Sequence, residues 1–275
     1  MNWPYVWLGL AIVAVWFPAV RLGRHSLPPW LPAWLPPYLA SVGSALASGL
    51  VDGRGLLILA IFAAAVWGSR VAPHAWVRGL LMVTAGLFTL ALPAKVFSGA
   101  FGGVTIVGGY GLATAGLFLL VGYAQRITGL EDLRRVARPA AWVMMGTTVV
   151  VLGVAVAVGF IRFDPHVPEG AAVRTLSNLL FICVAEEAFF RGLFQDRLSA
   201  LVARWPLWRW LPIALASVLF GVAHAGKGLV LAGLATLAGV GYGLACACTR
   251  RIEPAILTHF AVNTAHYFLF AGAMG

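Results

Sequence analysis

Charge is scarce in this chain. Only 10% of its 275 residues are Asp, Glu, Lys or Arg, nine of them acidic, against 61% hydrophobic. An ordinary soluble domain carries about a quarter charged residues, so this composition, with a mean hydropathy of +0.91, excludes that class and indicates a polytopic membrane protein of one domain. Lysine is nearly absent: arginine supplies 17 of the 19 basic residues behind the net charge of +10. The arginines lie in short loops between apolar runs, as the positive-inside bias and anionic headgroups require, so the basic balance does not imply a nucleic-acid partner. Cysteine is rare, and Cys183, Cys246 and Cys248 all sit in apolar runs, which excludes a disulfide framework. Cys246-x-Cys248 lacks further ligands at zinc-site spacing and reads as packing. No Lys or Arg precedes the first apolar run, and no clear small-residue cleavage site follows it, so a retained N-terminal helix is expected rather than a cleaved signal peptide. His-Glu-x-x-His and Gly-x-Ser-x-Gly are missing, and no Gly-x-x-x-x-Gly-Lys-[Ser/Thr] phosphate loop appears, which removes three common routes to hydrolysis and phosphate binding.

What is abundant is apolar sequence at membrane length. A spanning helix needs about 20 residues. Candidates are 3–21, 56–72, 79–98, 101–124, 140–161, 173–195, 210–225, 228–249 and 254–272. The expected fold is thus an all-α polytopic bundle of about eight to nine transmembrane helices. Tyr38–Val51 is apolar but short, and reads as re-entrant or interfacial. The stretch 28–37 holds five prolines and two tryptophans, which prevent a regular helix and suit a headgroup boundary. Trp205, Trp208 and Trp210 suggest a second interfacial anchor. Loops 125–139 and 196–209 and the pair Arg250–Arg251 carry the arginines in correct alternation and are expected on the cytoplasmic side. Gly239-x-x-x-Gly243, and the small residues Gly108, Gly109, Gly111, Ala113 and Gly116, allow close helix approach.

Within 173–195 lie two adjacent acids, Glu186 and Glu187. Ionisable groups in hydrocarbon are costly and mark functional sites. Glu187 and Arg191 stand at i and i+4, so the arginine can reach back to that carboxylate. Glu186 lies about 100° around the helix and has no partner within it. Farther on, Phe220-x-x-x-His224 and His259-x-x-x-Asn263 each place two such side chains on one helix face, with His266 following. Any one of these could be interhelical glue, and Glu187–Arg191 a structural ion pair. Together, a carboxylate, two imidazoles and an amide match the parts for hydrolysis: a base for water and donors for a developing oxyanion. Two histidines and a carboxylate could also hold zinc with one open position.

Glu-Glu-x-x-Phe-Arg-Gly, then Phe-x-x-x-His, then His-x-x-x-Asn, in this order over 175–272, resembles the CAAX protease and bacteriocin-processing family. That family includes the type II CAAX prenyl endopeptidases and the bacterial Abi-like proteins. The resemblance implies an intramembrane endopeptidase with its site inside a helical bundle. Residue by residue, it implies that Glu186 activates the water with His224 assisting, that Arg191 holds Glu187, and that His259 and Asn263 form the oxyanion site. A glutamic mechanism without a cofactor is favoured over a zinc one, because a glutamate base with donor side chains needs no metal.

The expected organisation is an N-terminal transmembrane extension, 1–139, with its Pro/Trp-rich interfacial loop, followed by a catalytic membrane domain, 140–275. The expected partners are the bilayer and a membrane-anchored protein or peptide substrate, and the expected location is a prokaryotic plasma membrane. Two rivals are a proton-coupled transporter using Glu186 and the histidines as a relay, and a non-catalytic immunity or scaffold protein of the same fold. The helix ends set His224 near the outer end of its span, with Glu186 and His259 nearer the midplane.

Overall fold

The computed structural model describes residues 2–17, 21–22, 25–26, 32–91, 100–101, 104–105 and 109–272. The described residues are mostly helical. In chain order the helices are α1 (Trp3–Ala14), α2 (Leu35–Ala47), α3 (Gly53–Val71), α4 (Ala75–Ala91), α5 (Tyr110–Tyr123) and α6 (Leu130–Ala157). A broken helix follows: α7 (Ala171–Ser177), a π segment Asn178–Cys183, α8 (Val184–Glu187), a second π segment Ala188–Gln195, and α9 (Asp196–Val202). The chain ends with α10 (Leu211–His224), α11 (Leu229–Thr249) and α12 (Glu253–Leu269).

Among the described residues, four helical stretches are long and apolar enough to cross a membrane: Gly53–Val71, Leu130–Ala157, Pro206–Lys227 and Leu229–Thr249. Much of their apolar surface faces outward. On α6 Trp142, Met145, Val149 and Val150 are exposed, and on α10 Leu215, Val218 and Val222 are. In water such faces would drive association, whereas hydrocarbon solvates them. This is an integral membrane protein.

Several boundaries differ from the sequence expectation. The arginine-bearing stretch 125–139 is a loop only as far as Gly129, and α6 begins at Leu130, ten residues ahead of the expected span. Its first turn carries Glu131 and Asp132, which suit the positive end of the helix dipole. Pro139 is accommodated inside the helix. At about 42 Å, α6 exceeds a hydrocarbon core, leaving its charged first turns beyond it. The proline-rich stretch is helical from Leu35, because Pro36 and Pro37 fall in the first turn, where backbone N–H groups have no helical acceptor. Pro28, Pro29, Trp30 and Leu31 lie outside the described residues, as do Gly108 and parts of the candidate spans 3–21, 79–98 and 101–124. The segment Tyr38–Val51 is largely helical, as part of α2. The last candidate span leaves the helix after Leu269: Phe270–Gly272 pairs antiparallel with Ile161–Phe163. The last three residues, 273–275, are also outside the described residues.

The chain divides into two compact units. The first comprises Met1–Tyr123 with Ala172–Ala185, and the second Ala124–Ala171 with Glu186–Gly275. In the first, Tyr5 packs edge-on against Tyr110 and leans on Phe181. Ser41 donates to the Pro4 carbonyl at 2.6 Å and bonds the Tyr110 hydroxyl at 2.9 Å. Gly116 permits α5 to pack so closely that a Cβ there would fall 2.6 Å from the Ala185 Cα.

In the second unit α10 and α11 run antiparallel in close contact, through glycine on both. A Cβ at Gly221 would strike the Thr236 hydroxyl and lie 2.6 Å from the Ala232 carbonyl oxygen. One at Gly239 would lie 3.0 Å from the Ser217 Cα, and one at Gly243 2.9 Å from the Ile213 side chain. Loop and turn are stitched at one end of this unit. Ile252 N–H donates to the Gln125 carbonyl at 2.9 Å, Ile127 N–H donates to Glu253 at 2.7 Å, and Asp132 accepts from Arg251 at 2.6 Å. Two arginine-bearing segments expected on one side of the membrane therefore meet.

Candidate active site

The two acids lie on α8, a four-residue α segment between two π segments. π winding within α-helices is concentrated at functional sites. No proline lies in either π segment to signal it in the sequence.

Glu187 is fully buried and faces Arg191 with both oxygens, although only Oε1 receives hydrogen bonds. Its carboxylate faces Arg191, whose Nη1 lies 3.2 Å from one oxygen and 3.1 Å from the other. Among the described residues, Arg191 is the largest side chain with almost no exposure. Its Nη2 donates to the Gly239 carbonyl at 2.9 Å, and its guanidinium carbon lies 5.1–5.6 Å from the rings of Phe190, Phe220 and Tyr242. Three aromatic faces and two acceptors replace the water this cation gave up. One helical step on, Gln195 donates to the Gly243 carbonyl at 3.0 Å. The two glycines thus bring α11 close and offer carbonyl oxygens to the acid-bearing helix, a use that the Gly-x-x-x-Gly spacing alone does not disclose.

His259, on α12, reaches the same carboxylate: its Nδ1 is 2.9 Å from Glu187 Oε1. A carboxylate paired with a guanidinium accepts, so the imidazole Nδ1–H donates. This fixes the ring and aims Nε2 elsewhere. Tyr242 stacks on it at 4.6 Å and 13°, and Phe220 meets it edge-on at 5.6 Å. The His259 Nε2 stands 3.9 Å from Glu186 Oε2. That oxygen is buried and has no hydrogen-bond partner within the protein, although the Glu186 side chain as a whole is 19% exposed.

His224, at the end of α10, is half-buried. Its Nδ1 bonds the Phe220 carbonyl at 2.8 Å, and its ring lies 4.6 Å from the Phe220 ring. Phe220 therefore touches both histidines, and Phe190 packs on it edge-on at 5.0 Å. Asn263 is half-buried on α12, one turn beyond His259. His266, a further turn along, has a buried Nε2 without a partner. Tyr242 and the Gly239 carbonyl are the site groups the sequence did not single out. A tyrosine in an apolar helix carries no signal until its neighbours are known.

For zinc, the donor set is a poor fit. Both oxygens of Glu187 face a guanidinium, and one also takes the imidazole N–H. Among the described residues, no three His, Cys, Asp or Glu side chains converge as a metal site would require.

Residues 168–265 match the family model described as Type II CAAX prenyl endopeptidase Rce1-like, a segment that contains all three motifs. No curated protein matches the chain. No solved structure matches it either.

Proposed function

We propose, with the match of residues 168–265 to the type II CAAX prenyl endopeptidase family model as premise, that this protein is an intramembrane endopeptidase that hydrolyses a peptide bond of a membrane-associated protein or peptide. The catalytic domain is 140–275, and 1–139 is a transmembrane extension that shapes substrate entry. The whole chain forms eight to nine spans, counting the shorter apolar helices and the π-interrupted one with the four long ones.

One observation carries the mechanism. Of two adjacent acids, Glu187 is held by Arg191 and His259, while Glu186 keeps a buried oxygen without a protein partner 3.9 Å from an imidazole nitrogen. A water beside that oxygen lies within reach of both groups. Glu186 takes its proton as the hydroxide attacks the scissile carbonyl, with His224 orienting the water across the Phe220 ring. As imidazolium, held by Glu187, His259 donates through Nε2 to the developing oxyanion, and Asn263 supplies the second donor. The proton on Glu186 then passes to the leaving amine. No step calls for a metal.

Glu186→Gln tests this reading. The amide keeps the shape and loses the basic oxygen, so cleavage of a membrane-anchored peptide should fall at least a hundredfold, with the thermal unfolding midpoint close to wild type. Near-normal turnover by the folded variant would remove Glu186 as the base.

A further inference from the structure

Where the start of α6 meets the turn between α11 and α12, the second unit has a pocket of about 460 Å³. It is lined by Arg135, Val136, Pro139, Cys248, Thr249, Arg250 and Arg251. We infer that it binds an anionic phosphate group, with an anionic phospholipid headgroup as its source in the membrane.

Charge and geometry carry this inference. Three guanidiniums face one pocket, and Asp132, paired with Arg135 and Arg251, offsets only one of them. The C-terminal carbonyls of α11 add a fraction of a negative charge. The balance stays positive by more than one unit. Arg250 is the lining cation whose guanidinium is not committed to Asp132. It occupies the left-handed region, φ 54° and ψ 31°, where its N–H closes α11 onto the Cys246 carbonyl at 2.7 Å. A non-glycine residue there is uncommon, and the turn directs its side chain off the helix end. The rest of the turn is fixed. Arg251 is locked to Asp132, Ile252 to Gln125, and Glu253 to Ile127. The Arg251 guanidinium is thus held at a defined position beside Arg250. Such forks match phosphate oxygens in pairs, and basic pockets between membrane helices suit lipid headgroups. Pro139 and Val136 supply the apolar wall along which an acyl chain would leave. The pocket lies about 10 Å along α11 from Tyr242 and shares no residue with the site around Glu186, so the inference stands independently of the protease reading.

Cys248 is the exposed thiol in the pocket wall and reports occupancy. Full-length protein in neutral detergent is treated with a maleimide during titration with short-chain phosphatidylglycerol, phosphatidylcholine or inorganic phosphate. Modification at Cys248 is read by peptide mass spectrometry. Phosphatidylglycerol should slow the reaction at least fivefold and saturably, and phosphatidylcholine should not. Arg250→Asn keeps the left-handed turn accessible and should abolish the protection. Asp132→Asn frees two guanidiniums and should move half-protection to lower lipid concentration. Protection by inorganic phosphate alone would keep the phosphate site and overturn the lipid source. Absence of protection by either, equal protection by phosphatidylcholine, or unchanged protection in Arg250→Asn would overturn the site.

Discussion

Glu186 and Glu187 are adjacent in sequence and differ in surroundings, and the proposed mechanism divides their roles by that contrast. Glu187 sits in a closed cage with Arg191, His259 and three rings. Breaking a buried pair strands a charge, which costs about 3–5 kcal/mol. Glu187→Gln should therefore lower stability by that order, seen as a lower thermal unfolding midpoint in detergent. Adding Arg191→Met should recover part of the loss, because the stranded cation is gone. An unchanged midpoint for Glu187→Gln would show that the cage is not a stability element. The same contacts bear on metal dependence. A guanidinium on a carboxylate competes with a cation for the same oxygens, so activity should survive exhaustive chelation. His259→Ala and Asn263→Ala should then lower kcat more than they raise KM, as befits donors that act in the transition state. Stoichiometric zinc whose removal abolishes cleavage, and whose return restores it, would refute the glutamic mechanism and leave the protease intact. Spacing alone revealed the Glu187–Arg191 pair, since i and i+4 are neighbours on a helix. The bond from His259, 72 residues away, was legible only as a shared parts list, and the Tyr242 stack not at all, because tertiary packing creates both.

Helices bring these side chains together through positions where a side chain is missing. α10 and α11 approach at Gly221, Gly239 and Gly243, and each replaces a volume the partner helix fills. Gly221 is the tightest, with its virtual Cβ in the Thr236 hydroxyl and 2.6 Å from a backbone oxygen that cannot move aside. Gly221→Ala should cost about 1–3 kcal/mol by overpacking, and it should reduce activity, since Phe220 and His224 ride on the same helix. Gly233, on α11, has nothing within 4 Å of its virtual Cβ. Gly233→Ala should leave the unfolding midpoint at or above wild type, through helix propensity. Equal effects of the two substitutions would mean that the close approach does not hold the pair together. The Gly-x-x-x-Gly spacing announced this contact from sequence, but gave no sign that the same carbonyls accept from Arg191 and Gln195. The early start of α6 escaped the hydropathy reading for the opposite reason. Its first ten residues hold Glu131, Asp132, Arg134, Arg135 and Arg138, and charge beyond the bilayer says nothing against a helix.

At the scale of the whole molecule, charge sets the direction in which the chain lies across the membrane. Arg126, Arg134, Arg135 and Arg138 precede or open α6, and Arg250 and Arg251 sit in the turn bound to that end through Asp132. The far end of α6, about 42 Å away, leads into 161–169, with Asp164 and Glu169 and exposed His166 and Val167. Clustered arginine is retained on the cytoplasmic side because moving it across costs work against the membrane potential, and acidic residues contribute little to the choice. The end bearing Arg134 and Arg251 should therefore face the cytoplasm and the 161–169 segment the outside. Exposed positions at the two ends allow a direct check once Cys248 is replaced by serine to silence its thiol. A cysteine at Val167 should react readily with an impermeant thiol reagent added to intact cells, whereas one at Arg134 or Leu207 should react only after permeabilisation. The reverse pattern would invert the molecule. It would also put the phosphate pocket on the outer leaflet, while leaving the cluster of Glu186, Glu187, Arg191 and His259 unchanged, because those contacts depend on helix packing and not on which side of the membrane each helix begins.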